Sequence, residues 1–481
     1  MDANPSSASA QRPTAEAILA TAERWRQHLA GDVHEQVVEG LYRQAARVAD
    51  RAVSRPGRAA RPTIDRTIDR LVTSRVWGFP IMLLLFGAMF WLTISGANVP
   101  STLLASLLVD TGHPALKGLF NNLGAPGWLT GLVVDGMYLA TAWVVSVMLP
   151  PMAIFFPLLT LLEDFGYLPR IAFNLDRLFK QAGAHGKQAM TTMMGFGCNA
   201  AGVVAARIID SPRERLLAIL TNNFALCNGR WPTQFLIATV FVGTLAPAPL
   251  ASLVSSAAVT SVALLGVFMT LAVGWALSRT VLRGEVSTFS LELPPYRPPR
   301  VWQALYTSLI DRTLFVLWRA VVFALPAGAV IWLSANIHVG GESLAVHCVR
   351  FFDPIGLLIG LNGVILFAYI IAIPANEIVI PTILMLTVMS TGSQGIGEGA
   401  GVLFELDSSQ AIRQLLTAGG WTALTGVNLM LFSLLHNPCS TTLYTIYKET
   451  GSGKWTLVAA ALPLALGFAV TFLVATLWRM A

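Results

Sequence analysis

Charge is scarce in this sequence. Only 12% of its 481 residues are Asp, Glu, Lys or Arg, roughly half the share of an ordinary soluble domain. Hydrophobic residues make up 54%, so a bilayer is the expected solvent and nucleic acid is not an expected partner despite the net charge of +6. Cysteine is scarcer still. Cys198, Cys227, Cys348 and Cys439 include no CxxC pair, which excludes a secreted disulfide framework. No apolar run precedes Val76, so no signal peptide is expected and the first span must direct insertion. The phosphate-loop pattern G-x-x-x-x-G-K-[ST] has no match: Gln188 follows Gly186-Lys187, and Trp455 follows Gly453-Lys454. GTP hydrolysis is therefore not expected of this chain. An intramembrane hydrolase is disfavoured as well, for want of H-E-x-x-H or a Ser/His pair at helical spacing.

What charge there is gathers at the start. Residues 1–75 carry 12 Arg and 9 acidic side chains, and an Arg-rich arm ahead of a first span stays on the cytoplasmic side. The arm reads as helical, with one helix from Thr14 to Gly31 and a second behind an Asp32-x-x-Glu35 capping box. An apolar stripe of Ile64, Ile68, Leu71 and Val72 follows, suited to an amphipathic helix at the interface.

Beyond Arg75, uncharged windows mark spans. Arg75 and Asp110 enclose 34 such residues, Asp135 and Glu163 enclose 27, and Arg230 and Arg279 enclose 48 with Pro247 and Pro249 at the turn. Arg319–Glu342, Asp353–Glu377, Arg413–Lys448 and Lys454–Arg479 each leave room for one crossing. The expected fold is an all-α polytopic membrane protein with about eight to ten transmembrane or re-entrant helices. Its parts are an arm over residues 1–75, a first membrane half over 76–300 and a second over 301–481. The Pro-rich basic loop between Arg279 and Arg312 separates the halves on the cytoplasmic side.

The window from Lys187 to Arg207 is uncharged but rich in Thr, Gly and Asn. Irregular backbone at membrane depth survives only where protein or a wet cavity surrounds it, so a broken helix or re-entrant hairpin is predicted. Its centre is Gly195-Phe196-Gly197-Cys198-Asn199, echoed by Asn222 to Arg230 around Cys227. Glycines let the chain unwind and free carbonyls for a cation, and a thiol suits Fe(II), Zn(II) or Cu(I) better than Mg(II) or Ca(II). In the second half, Pro374-Ala375-Asn376-Glu377 and His436-Asn437-Pro438-Cys439 interrupt apolar runs. A carboxylate such as Glu377 near membrane depth is a functional candidate by default, the other reading being a helix-end Glu that snorkels to the headgroups. His436 could complete a site with Cys439 or be a hydrogen-bonded structural histidine.

Taken in order, several motifs resemble the membrane part of the FeoB family of ferrous iron transporters. They are Trp77-Gly78-Phe79-Pro80, residues 162–170 (LEDFGYLPR), GFGCN at 195–199, Ser211-Pro212-Arg213-Glu214-Arg215, Arg283-Gly284-Glu285, Leu291-Glu292-Leu293-Pro294 and Pro438-Cys439. The resemblance covers residues 62–481 and implies Fe(II) uptake across the bacterial inner membrane through two Gate regions. It implies metal contacts at Cys198, Cys227, Glu377 and Cys439. Gly195, Gly197, Asn199, Asn222, Asn376 and His436 are the expected pathway or gate residues. The transported ion is then cargo, and no permanently bound cofactor is expected. A separate G protein, a small accessory protein and further copies of the chain are the expected partners. Ala200-Ala201 and Asn376 depart from the family's Val-Pro and Lys, which bears on the helix break and on metal choice. Zinc, manganese or a nucleoside-like organic solute are the alternative cargoes, and a scaffold that transports nothing is a third class.

Overall fold

The computed structural model describes residue 21 and residues 33–52, 64–74, 76–284, 300–392, 402–404, 406 and 408–480. Two compact units divide the chain, residues 1–64 with 287–292 and residues 65–286 with 293–481. In the first, Val33–Ala52 is one amphipathic helix. Apart from Thr21, which is helical, the helix expected over 14–31 lies outside the described residues, as do the capping Asp32 and the basic loop at 285–299.

Among the described residues of the second unit, the secondary structure is helical apart from a hairpin of two-residue strands, His338–Val339 with Glu342–Ser343. Five helices among the described residues are long and apolar enough to cross a bilayer: Gly78–Asn122, Gly127–Asp164, Ala251–Arg279, Val301–Asn336 and Gly453–Met480. Their exposed residues include Leu83, Leu84, Trp91, Phe268 and Leu473, which marks a protein whose solvent is lipid. The structure is that of a multi-pass membrane protein. Where long helices touch, glycine lets backbones approach, as at Gly136 against Gly328.

Call the face at which Gly78 begins the near face. The first helix ends on the far face, and Gly127–Asp164 returns. Gly166, at φ +81°, then turns the chain into the amphipathic helix Tyr167–Gln181. The short helix Ile64–Val72 docks there rather than only skimming a membrane surface. Buried Arg170 donates to Asp69 across 2.6 Å, Asn174 donates to the Val72 carbonyl across 2.8 Å, and Val72 is buried among Met152, Phe156 and Ile171.

Two bent helix pairs lie in windows expected to hold single crossings, one across Asp353–Glu377 and one at the start of Arg413–Lys448, whose remainder is a single broken helix. Leu344–Leu358 and Gly363–Ile371 meet at 114°, and Ser409–Ala418 and Ala423–Thr450 at 105°. The first corner is built from Gly360 at φ +70°, Asn362 capping the Ile365 N–H, and Asp353 accepting from the Gly363 N–H at 2.8 Å. The charge of Asp353 thus closes a turn instead of ending a span. Trp231–Leu245 and Asn376–Thr391 are shorter apolar helices, and the turn before Ala251 falls at the anticipated Pro247-Pro249 pair.

These pieces form two hairpins that enter from opposite faces. Lys187–Gly197 and Asn199–Ala205 rise from the near face and return, because Lys187 at the start donates to the Ile208 carbonyl and to Asp210 at the end, at 3.0 and 2.8 Å. Gly363–Ile371 and Asn376–Thr391 descend from the far face, where Thr387 lies beside the Gly419 turn. Each is followed by a broken helix running the other way: Pro212–Thr221 then Trp231–Ile237, and Ala423–Leu435 then Ser440–Thr450. The two halves thus show the same order of elements, a hairpin and then a broken helix, of which the residues alone give no clean trace.

Candidate ion pathway

Helix breaks meet at the centre of the molecule. Cys198 sits between two helices in extended conformation, φ −151° and ψ 123°. Ala375 does the same at φ −150° and ψ 120°. Cys439, at φ −62° and ψ 159°, precedes Ser440–Thr450. Cys227 lies in the irregular stretch that begins at Ala225 and is held by the Arg230 N–H to Cys227 carbonyl bond and the Asn228 N–H to Gly197 carbonyl bond, at 2.9 and 3.0 Å.

The three thiols and Glu377 line one cavity of about 30 Å³, with Gly197, Asn199 and Asn376 also on its wall. The expected residues Gly195, Asn222 and His436 are not on it. Asn222 braces the first hairpin from behind, donating to the Asn199 carbonyl at 2.9 Å, and a side chain on Gly195 would overlap it. His436 donates from Nδ1 to the Ser433 carbonyl at 2.9 Å, and its Nε2 is 3.2 Å from the Asn376 amide. The ring lies edge-on to Tyr369 with centroids 4.6 Å apart. Both ring nitrogens thus face protein groups, and the extended residue His436 after Leu435 removes helical spacing to Cys439.

Glu377 accepts no bond from a cation or another side chain among the described residues, whereas Cys439 lies 3.3 Å from the Thr442 hydroxyl. Among the described residues no three His, Cys, Asp or Glu side chains are gathered closely enough to hold a metal ion. The thiols face one space without forming a closed ligand shell.

Sequence reasoning passed over two sets of residues. Met148 and Met152 bring thioethers to the same wall from helix Leu139–Asp164, with only their i, i+4 spacing as a signal. Arg230, read above as the edge of an uncharged window, is 1% exposed. Its guanidinium donates to the carbonyls of Asn223, Leu434, His436 and Asn437 and to the Asn223 side chain, at 2.9 to 3.3 Å. A cation on the last carbonyls of a helix is favourable, and here it clamps the two halves together.

Comparison with known proteins agrees with the motifs. Residues 145–243 match the Gate family, described as nucleoside recognition, and residues 259–311 match the C terminus of ferrous iron transport protein B. The "Fe(2+) transporter FeoB" of Staphylococcus aureus strain COL is 30% identical over 417 residues, 84% of this chain and 58% of that protein. The protein of the same name from Synechocystis is 29% identical over 416 residues, 85% and 62% of the two chains. A "Fe(2+) transport protein A/Fe(2+) transporter FeoB fusion protein" of Porphyromonas gingivalis is 27% identical over 455 residues, 86% and 51%. The chain thus spans between about half and three fifths of the length of these relatives. No solved structure matches it.

Proposed function

We propose, on the premise that this chain belongs to the FeoB family, that it forms the membrane pathway along which Fe(II) is taken up. The observation that carries the reading is the meeting of Cys198, Cys227, Cys439 and Glu377, which has no cation or side-chain donor among the described residues, around one cavity made by helix breaks. Soft thiols beside one carboxylate suit a borderline divalent ion. A space of about 30 Å³ admits a body the size of one or two waters. A nucleoside would need a pocket of several hundred Å³, which speaks for an ion over an organic solute in this conformation.

In this reading the membrane is the bacterial inner membrane, the near face is cytoplasmic with the Arg-rich arm, and residues 76–300 and 301–481 are the two functional halves. Energy comes from a G protein or from the ion gradient. A small accessory protein is a fitting partner, since one relative carries such a protein fused to it.

The test is uptake by the purified chain in liposomes under reducing conditions, with Fe(II), Zn(II), Mn(II) and Mg(II) compared. Fe(II) flux that is lost in Cys198→Ala supports the pathway. Flux that survives both Cys198→Ala and Glu377→Ala sinks it. If no metal moves, addition of a family G protein decides whether nucleotide hydrolysis is the missing drive.

A further inference from the structure

Beside the thiol cavity lies a second space of about 190 Å³. Trp143, Thr233, Leu236, Ile380 and Ile412 form part of its wall, and it reaches Ser409, exposed on the far face. Two residues border both spaces, Gly229 and Glu377. Their contact is tight, because a Cβ on Gly229 would overlap the Glu377 carboxylate. The glycine is fixed by its turn, whose Arg230 N–H bonds to the Cys227 carbonyl at 2.9 Å. The carboxylate has no cation or side-chain donor holding it among the described residues, so it is the partner that can swing.

We infer that Glu377 and Gly229 form a gate between a far-face vestibule and the thiol cavity, and that divalent cations reach the thiols through it. Polar and apolar surface share the vestibule wall about equally, and Glu377 is the one charged side chain among its described lining residues. Glu377 therefore selects positive charge at the narrowest point, and Gly229 supplies the room through which the ion passes. The inference rests on the ion-pathway reading and gives it a direction, from the far face inward.

Cadmium ion tests the gate without requiring transport, since its thiolate complex absorbs in the ultraviolet through charge transfer. The full chain in lipid nanodiscs, with Cys348→Ser so that only the three cavity thiols respond, is mixed with Cd(II) in a stopped-flow cell. Gly229→Ala is expected to slow the signal at least about tenfold, as overpacking of a tight contact does. Adding Glu377→Asp, one methylene shorter, restores most of the rate. Glu377→Gln slows Cd(II) by about fivefold, the worth of one nearby charge in a wet site, and leaves neutral mercuric chloride unaffected. An unchanged rate in folded Gly229→Ala overturns the gate, as does equal slowing of both metals in Glu377→Gln. Should Gly229→Ala not fold, Ser409→Trp at the vestibule mouth decides, an unchanged Cd(II) rate again overturning it. Parent thiols inert to Cd(II) overturn the gate and the pathway together. Gated Cd(II) binding without Fe(II) flux in liposomes leaves the gate standing and removes the iron reading alone.

Discussion

The two hairpin tips share a backbone and differ in chemistry. Cys198 and Ala375 agree within a few degrees in φ and ψ, and each is followed by an asparagine that opens the next helical segment. The asparagine does the same work in both. With its nitrogen turned to them, the Asn199 amide reaches the carbonyls of Gly195, Ala225 and Asn222 at 3.0, 3.2 and 3.3 Å, and Asn376 meets His436 from the following broken helix. What differs is the group offered to the cavity, a thiol at the first tip and the Glu377 carboxylate at the second. A break in a membrane helix is thus a structural device held by amides, and its chemistry is set by the residue beside it. One tip offers a soft donor and the other a hard one.

The comparison can be broken most forcefully at Arg230, which joins the halves. Arg230→Gln leaves carbonyls of Asn223, Leu434, His436 and Asn437 short of a donor, and removing one partner of a buried charged network costs on the order of 3 kcal/mol or more. Loss of folded protein, or a large fall in the melting temperature in detergent, is the expected outcome. Gly197→Ala comes next, because its Cβ would overlap the Phe155 ring. Overpacking of that kind costs about 1–3 kcal/mol, and the same thermal scan reads it.

The bases of the hairpins differ too. Asp353 closes the second through the Gly363 N–H, and Asp353→Ala is expected to lower stability by about 1 kcal/mol, the worth of a lost cap. Asp210 closes the first through Lys187 in water. The hydrogen bond and charge of Lys187 hold its carboxyl below the usual range. A carboxylate whose folded value is depressed contributes stability at neutral pH and loses it as pH falls through that value. Asp210→Asn should therefore give the smallest change of the series, detectable near neutral pH and absent in acid.

The long spans were legible because lipid-facing helices exclude charge, and the windows before Asp110 and Glu163 and after Arg230 and Lys454 each contain apolar helix. The same rule misplaced the second hairpin. Asp353–Glu377 is uncharged inside, yet Gly360, Asn362 and Asp353 fold it into a corner, and composition does not distinguish a re-entrant segment from a span. The thiols and Glu377 could be read from helix-breaking neighbours. The role of Arg230 could not, since most of its acceptors stand some 200 residues away. Of two residues expected along the path, Asn376 lies on the cavity wall while His436 stands behind it, 3.2 Å from the Asn376 amide.

The volume of the thiol cavity, about 30 Å³, sets a condition on any ion that enters it. A hexahydrated ion does not fit, so nearly all of its water must be left in the vestibule. Mg(II) gives up water reluctantly, and would be turned back before meeting a sulfur. Discrimination in such a channel is then a matter of time as much as of affinity. On the proposed pathway, the ions admitted would be those that exchange water for a carboxylate oxygen within the dwell of one encounter, and the thiols would sort only what dehydration has already let through.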